Sequence, residues 1–187
     1  MYSMPGRNQV WAYDHTGTPI YSTQSNDPSP AFDWGPTLAK FMDWDGDGCD
    51  DFLVGFYNAL GGGGCECISG RTGTPLWRMS SPTLNLNLSQ GLERCGDLDG
   101  DGLPDVLLGN NANWTTTGIM QAWSSGTLQP IRTWSTGIYG DSFGHYMNGE
   151  QDYDQDGIVD IVVSHATEPL PSICPSCFGS TKVFSGR

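Results

Sequence analysis

The stretch DWDGDGCDDFLVG, residues 43–55, places five acidic residues among its first nine and leads directly into an apolar segment. Closely related stretches follow at residues 97–109 (DLDGDGLPDVLLG) and 152–164 (DYDQDGIVDIVVS). The three stretches begin 54 and then 55 residues apart, since they start at residues 43, 97 and 152. A spacing this regular indicates a structural repeat, which has to be identified before any single segment is interpreted.

Short segments rich in β-formers surround each acidic loop. The segments after the three loops are DFLVGF, DVLLGN and DIVVSH, which are too short for helices. A loop and two further strand-like segments follow, for example CECISGRTG and then TPLWRMS in the first unit. Units of four short strands at this period are typical of β-propeller blades.

The sequence therefore predicts an all-β fold of propeller-type, four-stranded blades in a single repeat domain, residues 1–187. About three blades are expected, plus a spare N-terminal strand pair. The predicted boundaries are a partial blade at 8–24 (strands three and four), blades at 33–80 and 89–136, and a third blade at 141–187 without its last strand. Because a propeller needs about four blades, we expect no closed ring from one chain. Either the chain is a piece of a longer protein, or copies complete one another by strand exchange into a ring or filament.

Each acidic loop carries alternating oxygen donors of the kind that a calcium ion binds. Calcium takes six to eight oxygen ligands at flexible geometry, whereas magnesium demands strict octahedral geometry and retains several waters. Counting from the first Asp, carboxylates at positions 1, 3, 5 and 9 and a backbone carbonyl at position 7 would supply the ligands, with Gly at position 6. We predict three calcium sites, formed by Asp43, Asp45, Asp47, Cys49 and Asp51; by Asp97, Asp99, Asp101, Leu103 and Asp105; and by Asp152, Asp154, Asp156, Ile158 and Asp160.

These loops resemble an EF-hand only in their first half. An EF-hand needs a Glu at position 12, where this chain has Val54, Leu108 and Val163. The alternative interpretation is a solvated acidic turn, but three matches in register argue for a cation site.

The charge balance restricts the classes of partner. The chain has 21 acidic and 8 basic side chains, for a net charge of −13. Phosphate binding needs a basic face, so we expect no nucleic-acid partner. No segment approaches the roughly 18 apolar residues of a membrane span, so no such span is expected.

The run SFGHYMNGEQDYDQDGIVDIVVSHA, residues 142–166, resembles the FG-GAP repeat of integrin α-subunit-type propellers, also grouped with VCBS repeats. FLVGFYNA and VLLGNNAN stand in the place of the family's Gly-Ala-Pro element in degraded form. The resemblance covers nearly the whole chain. It implies a calcium-stabilised blade of a secreted or extracellular protein, with binding or adhesion as the usual role.

The chain has six cysteines, which together with few lysines favour an oxidising compartment. A disulfide within CPSC at 174–177 is the preferred local pairing, and Cys49 with Cys95 is a second candidate. Buried free thiols remain an alternative, as does a four-cysteine zinc site built from residues 65, 67, 174 and 177.

The tryptophans have two possible roles. Trp11, Trp77, Trp123 and Trp134 fall within predicted strands and are expected in the core. The three near loops could stack on sugars: Trp34, Trp44 and Trp114. Asn87 and Asn113 begin N-glycosylation sequons on predicted loops.

No catalytic arrangement is expected. His15, His145 and His165 belong to no recognisable triad pattern, and carboxylates committed to calcium are poor general acids.

The leading hypothesis is therefore a calcium-binding, non-enzymatic protein with a structural, adhesive or self-assembly role as a homo-oligomer or filament, or with an extracellular protein ligand. The alternatives are a glycan-binding, lectin-like module, or a fragment of a larger adhesin or polysaccharide-active enzyme.

Overall fold

The structure is a computed structural model that describes residues 2–4, 8–25, 32–58, 62–81, 88–110, 117–139, 143–170 and 174–186. These residues form strands, turns and loops, with no helix among them, and hence no helix that is long and apolar enough to cross a membrane. The predicted all-β fold is confirmed. In the first half of the chain the strands are β1 Tyr2–Met4, β2 Gln9–Tyr13, β3 Pro19–Gln24, β4 Phe32–Lys40, β5 Phe52–Asn58, β6 Gly63–Ile68 and β7 Pro75–Ser80. In the second half they are β8 Gly91–Arg94, β9 Val106–Gly109, β10 Thr117–Trp123, β11 Pro130–Tyr139, β12 Met147–Gln151, β13 Asp160–Leu170 and β14 Cys174–Phe184.

The strands form four antiparallel sheets in which strands adjacent in sequence are adjacent in space. Two sheets have four strands, ordered β4-β5-β6-β7 and β8-β9-β10-β11. Two have three strands, ordered β1-β2-β3 and β12-β13-β14. This meander is the arrangement of a propeller blade, and none of the four sheets closes on itself within the described residues.

The N-terminal sheet differs from the expected strand pair by one strand. Residues Tyr2–Met4 form β1, which pairs with β2 on the side opposite β3. If β2 and β3 are counted as strands three and four of a blade, β1 takes the place of strand two. The sequence pattern missed it because three residues are too few to show a period.

The chain divides into two compact units. Unit 1 spans Met1–Ser89 and contains the first two sheets, and unit 2 spans Gln90–Arg187 and contains the last two. Each unit has its own apolar cluster. Trp34, Phe52, Val54, Phe56 and Ile68 pack together with Val10 in unit 1.

Unit 2 is built in the same way. Its cluster contains Leu107, Met120, Phe143, Ile161 and Val163 with Cys95 and Ala122, and the partly buried Trp134 and Phe184 pack against it. Because successive side chains of a strand point to opposite faces, residues two apart, such as Ile161 and Val163, contribute to the same face.

A polar side chain in the middle of strand three is anchored in both four-stranded sheets. In unit 1, buried Glu66 accepts hydrogen bonds from the indole Nε1 of Trp34 at 2.7 Å and from Arg78 Nη1 at 3.1 Å. In unit 2, Gln121 accepts one from Trp123 Nε1 at 3.0 Å and donates one to Thr133 Oγ1 at 3.0 Å. These bonds satisfy polar groups that would otherwise be costly to bury.

Glycine allows close approach of neighbouring atoms in the strand that follows loops 1 and 2. A Cβ on Gly109 would collide with the backbone carbonyl of Gly144, and a Cβ on Gly55 would collide with Thr37 Oγ1. Both glycines belong to the degraded Gly-Ala-Pro element. The third repeat has Ser164 at the equivalent position.

We expect Gly109→Ala to destabilise the protein by about 2 kcal/mol or more, because the new methyl group would displace backbone and not a flexible side chain. The measurement is urea unfolding followed by tryptophan fluorescence. The control is Ser164→Ala, which keeps a Cβ at the matched position and should stay within about 0.5 kcal/mol of wild type. Equal effects of the two substitutions would contradict the predicted close approach.

Candidate metal centres in the acidic loops

The first Asp of each loop organises the backbone that follows it. In loop 1, Asp43 Oδ1 and Oδ2 accept hydrogen bonds from the amides of Asp47 at 3.0 Å and Gly48 at 2.9 Å. Asp152 makes the same two contacts in loop 3, at 3.2 and 2.8 Å. In loop 2, Asp97 also accepts the position 6 amide, from Gly102 at 2.8 Å, but its second contact is the position 4 amide of Gly100 at 2.6 Å.

The carboxylates at positions 3 and 5 each accept an amide two residues further along. At position 3, the Oδ1 atoms of Asp45, Asp99 and Asp154 accept hydrogen bonds from the position 5 amides at 3.1, 3.1 and 3.2 Å. The position 5 carboxylates accept the position 7 amides at 2.8 to 2.9 Å, in the pairs Asp47 with Cys49, Asp101 with Leu103 and Asp156 with Ile158. Each is an Asx turn, which winds the loop tightly and leaves further carboxylate lone pairs for a ligand.

Two loop positions have left-handed backbone. Position 6 is a glycine in all three loops, with φ of 89° at Gly48, 88° at Gly102 and 92° at Gly157. Position 4 also has positive φ in all three loops. In loop 3 this residue is Gln155, whose φ is 61°. No atom lies within 4 Å of a Cβ built on the position 6 glycines, so their requirement comes from backbone conformation and not from space.

The Asp at position 9 connects each loop to its sheet. Asp51, Asp105 and Asp160 are all buried, with at most 2% of the residue exposed. Their Oδ2 atoms accept the position 2 amides of Trp44, Leu98 and Tyr153 at 2.7 to 2.8 Å. Their Oδ1 atoms accept amides from the turn after strand three, at Gly70 (2.9 Å), Ser125 (3.3 Å) and Gly186 (3.3 Å). The sequence predicted these residues only as ligands and missed this second role.

The carboxylates converge in all three loops. One oxygen from each member of a trio lies within 4.8 Å of the others. The trios are Asp43, Asp45 and Asp51 in loop 1; Asp97, Asp99 and Asp101 in loop 2; and Asp152, Asp154 and Asp160 in loop 3. Loop 2 therefore uses position 5 where the other two use position 9.

The donor set fits a hard divalent cation, because all the converging atoms are carboxylate oxygens. Asp47, Asp105 and Asp156 lie outside the trios, and ligation by the carbonyls of Cys49, Leu103 and Ile158 stays a prediction. In loop 1 the guanidinium of Arg71 lies beside the cluster, with its Nε 3.7 Å from Asp47 Oδ2. That arginine offsets part of the negative charge of loop 1.

The cysteine predictions have different outcomes. Cys49, Cys65, Cys67 and Cys95 are free thiols, so the pairing of Cys49 with Cys95 is wrong. Cys49 lies half-exposed on loop 1, whereas Cys95 is buried in the apolar cluster of unit 2. Burial raises the pKa of the Cys65, Cys67 and Cys95 thiols above the ordinary range, which keeps them protonated. The side chains of Cys174 and Cys177 lie outside the described residues.

The candidate sugar-stacking tryptophans do not form an exposed set. Trp34 is fully buried in β4, because its indole fills the core of unit 1 and its Nε1 bonds to Glu66; the expectation of an exposed ring near a loop is wrong. Trp44 is half-buried, with its ring 6.0 Å from Phe41 and 5.7 Å from Trp77. Trp114 and the sequon residues Asn87 and Asn113 lie outside the described residues.

Among the strand tryptophans Trp123 is buried, while Trp11, Trp77 and Trp134 are half-buried.

The three histidines occupy different environments. His15 is exposed in a turn, His145 is half-buried beside Tyr146, and His165 is fully buried in β13 with its ring edge-on to Phe143.

No protein-family model matches this chain, and no curated protein matches it. The resemblance to FG-GAP and VCBS repeats therefore depends on the sequence motifs alone.

The pKa of Asp105 provides a test of its burial. Burial raises this pKa from 3.8 to about 6, against the opposing effect of the amides of Leu98 and Ser125. The folded state favours the protonated form of Asp105. The contribution of this group to the free energy of unfolding is therefore complete below about pH 4 and is lost as the pH rises to about 6. In chelator, we expect the free energy of unfolding to fall by about 3 kcal/mol from this group over that interval.

The measurement is urea unfolding across pH 4 to 7 in chelator, with Asp105→Asn as the comparison. The amide cannot ionise, so this part of the pH dependence should disappear in the variant. The same pH slope in both proteins would contradict the assignment.

Proposed function

We propose that this chain is a calcium-binding, propeller-type repeat protein of the extracellular space that acts by binding or assembly. The observation that carries the proposal is that in all three loops the position 1 Asp accepts the position 6 amide and three carboxylates converge. The proposal assigns no catalytic step to the chain.

Electrostatics supports the same role. The chain carries a net charge of −13, and twelve of its 21 acids are the loop aspartates at positions 1, 3, 5 and 9. Carboxylates held this close repel one another by about 1 kcal/mol per pair in water, and by more where water is excluded. Three bound divalent cations would bring the net charge to about −7. Calcium would therefore stabilise each loop, and through position 9 the sheet behind it.

The extracellular assignment is supported by the motif resemblance and by calcium chemistry. Extracellular modules bind calcium at about 10⁻⁴ to 10⁻³ M, and the three loops offer the oxygen donors that calcium takes.

The sheet topology bears on an assembly role. Within the described residues every sheet ends on outer strands that pair with no further strand, β3, β7, β11 and β14 among them. An open edge is a template for strand addition by another chain. We propose that copies of the chain associate through such edges, and that calcium holds the loops in the conformation that supports them.

Replacing Asp99 with Ala removes one carboxylate from the loop 2 trio. We expect a lower melting temperature than wild type in millimolar calcium and a much smaller difference in chelator, because only the calcium-bound state loses a ligand. At a calcium concentration 100 times the Kd, the linked stabilisation of one site is about 2.7 kcal/mol. Differential scanning calorimetry measures the shift, and isothermal titration should show one site fewer.

The matched control is Asp50→Ala, which removes an exposed carboxylate that pairs with Lys40 at 2.8 Å and belongs to no trio. It should leave the calcium-dependent shift unchanged. Equal losses for Asp99→Ala in calcium and in chelator would argue against a cation site in loop 2.

The assembly role predicts a molar mass above that of the 20.2 kDa monomer. Light scattering in millimolar calcium should give a multiple of this mass that falls towards the monomer after chelation. A monomer under both conditions would contradict self-assembly and leave the calcium assignment standing.

A further inference from the structure

The turn that follows strand three contacts the acidic loop of its repeat, and its sequence differs among the repeats. The residues whose amides donate to the position 9 Asp are, in repeat order, Gly70, Ser125 and Gly186. The next residue is an arginine in the first and third repeats, Arg71 and Arg187, and a glycine in the second, Gly126. The turn therefore reads Gly-Arg beside loops 1 and 3 and Ser-Gly beside loop 2.

In loop 1 the turn arginine lies beside the position 5 carboxylate. The Nε atom of Arg71 is 3.7 Å from Oδ2 of Asp47, and the other oxygen of Asp47 accepts the amide of Cys49 at 2.9 Å. Asp47 lies outside the converging trio, which uses positions 1, 3 and 9. Both oxygens of the position 5 Asp are thus in contact with groups of the chain itself.

Loop 2 has no side chain in the place of Arg71. A Cβ on Gly126 would collide with Oδ2 of Asp101, so the position 5 carboxylate lies directly against the turn. Asp101 belongs to the trio of loop 2, together with Asp97 and Asp99. The position 5 carboxylate therefore lies with the other carboxylates in loop 2, whereas its counterpart in loop 1 lies beside a guanidinium.

Ser125 adds a hydroxyl group on the side of the turn that contacts loop 2. At the equivalent positions a Cβ on Gly70 would collide with the carbonyl of Asp50, and a Cβ on Gly186 with that of Val159. These carbonyls belong to position 8 of their loops, so a side chain at this position is directed at the loop. Ser125 is 1% exposed, and its Oγ has no hydrogen-bond partner among the described residues. A buried hydroxyl without a partner is costly, and its oxygen is a donor of the kind that calcium takes.

The third repeat groups with the first. Its turn has the Gly-Arg sequence, and its trio uses positions 1, 3 and 9 as in loop 1. Arg187 itself lies outside the described residues. The sequence of the turn and the composition of the trio therefore change together.

We propose that the turn after strand three sets the calcium affinity of its loop, so that loop 2 binds calcium more tightly than loop 1. Arg71 competes with the cation for the position 5 carboxylate of loop 1. In loop 2, Gly126 leaves that carboxylate to the cation and Ser125 supplies a further oxygen. This inference rests on the calcium binding proposed above and specifies how the sites differ.

Two variants of the full 187-residue chain isolate the two sites. Asp99→Ala with Asp154→Ala leaves loop 1 intact, and Asp45→Ala with Asp154→Ala leaves loop 2 intact. Isothermal titration with calcium chloride measures the Kd of the remaining site, and circular dichroism establishes that each variant is folded. Because the charge of the ligand set tunes calcium affinity, we expect loop 2 to bind about tenfold more tightly than loop 1.

Substitutions at Arg71 and Gly126 test the cause of that difference. In the loop 1 variant, Arg71→Gln should tighten calcium binding by about fivefold, whereas Arg71→Lys keeps the charge and should change the Kd little. In the loop 2 variant, Gly126→Arg should weaken binding more than Gly126→Ala, which brings the same Cβ without the charge. Arg71 is 60% exposed, so its effect should shrink in about 1 M salt, where the screening length is about 3 Å.

A stability measurement separates competition with calcium from a structural role of Arg71. In chelator, Arg71→Gln should lower the melting temperature of the otherwise wild-type chain, because the carboxylates of loop 1 lose a neighbouring positive charge. Calcium should then raise the melting temperature of the variant by more than it raises that of wild type. An equal loss in calcium and in chelator would show that Arg71 acts on the fold alone and would overturn the inference.

The inference is also overturned if loops 1 and 2 bind calcium with equal affinity, or if Arg71→Gln and Arg71→Lys change the Kd alike. These results would leave the three calcium sites in place and contradict only the difference between them. If neither variant binds calcium, the inference fails together with the proposed function. If Gly126→Arg does not fold, the Arg71 substitutions still provide the test.

Discussion

The buried carboxylate at position 9 of each acidic loop is the interaction on which each repeat depends. Asp51, Asp105 and Asp160 bring a charge into the protein interior and offset its desolvation with backbone amides from two directions. One amide belongs to the start of the loop and the other to the turn after strand three. Three segments of a blade that are distant in sequence are thereby held together by one side chain. In loops 1 and 3 the same Asp also belongs to the converging trio of carboxylates.

Most of the fold could be predicted from the sequence because its strongest signal is repeated three times. The Asp spacing locates the loops, and the short apolar segments after them locate strand two of each blade. The loop conformation also follows, since a glycine at position 6 predicts left-handed backbone there. The second role of the position 9 Asp was missed because its partner amide lies 19 to 26 residues away, in a Ser-Gly or Ser-Ser turn without a pattern of its own.

The incorrect predictions share a physical cause, which is that burial depends on tertiary contacts that local sequence does not record. Trp34 follows a polar, proline-rich stretch and looks like a loop residue, yet its partner is Glu66, 32 positions further along. A buried acid in the middle of an apolar strand signals that a donor must lie nearby, and this clue points to a tryptophan or an arginine. Cys49 and Cys95 each adjoin an acidic loop in the sequence, but Cys49 is half-exposed at position 7 of loop 1, whereas Cys95 precedes loop 2 and is buried in the apolar cluster of unit 2.

The strand-three position shows how a repeat protein can keep one fold and vary its contacts. Glu66, Gln121 and Lys182 occupy the same register, and each requires different chemistry from the residue opposite. In the two four-stranded sheets the facing residues are Arg78 and Thr133. A lysine in the third repeat changes the sign of the charge while the backbone pairing of strands two and three is unchanged. One side chain can therefore change the contact between neighbouring strands while the order of the strands and their backbone pairing are kept.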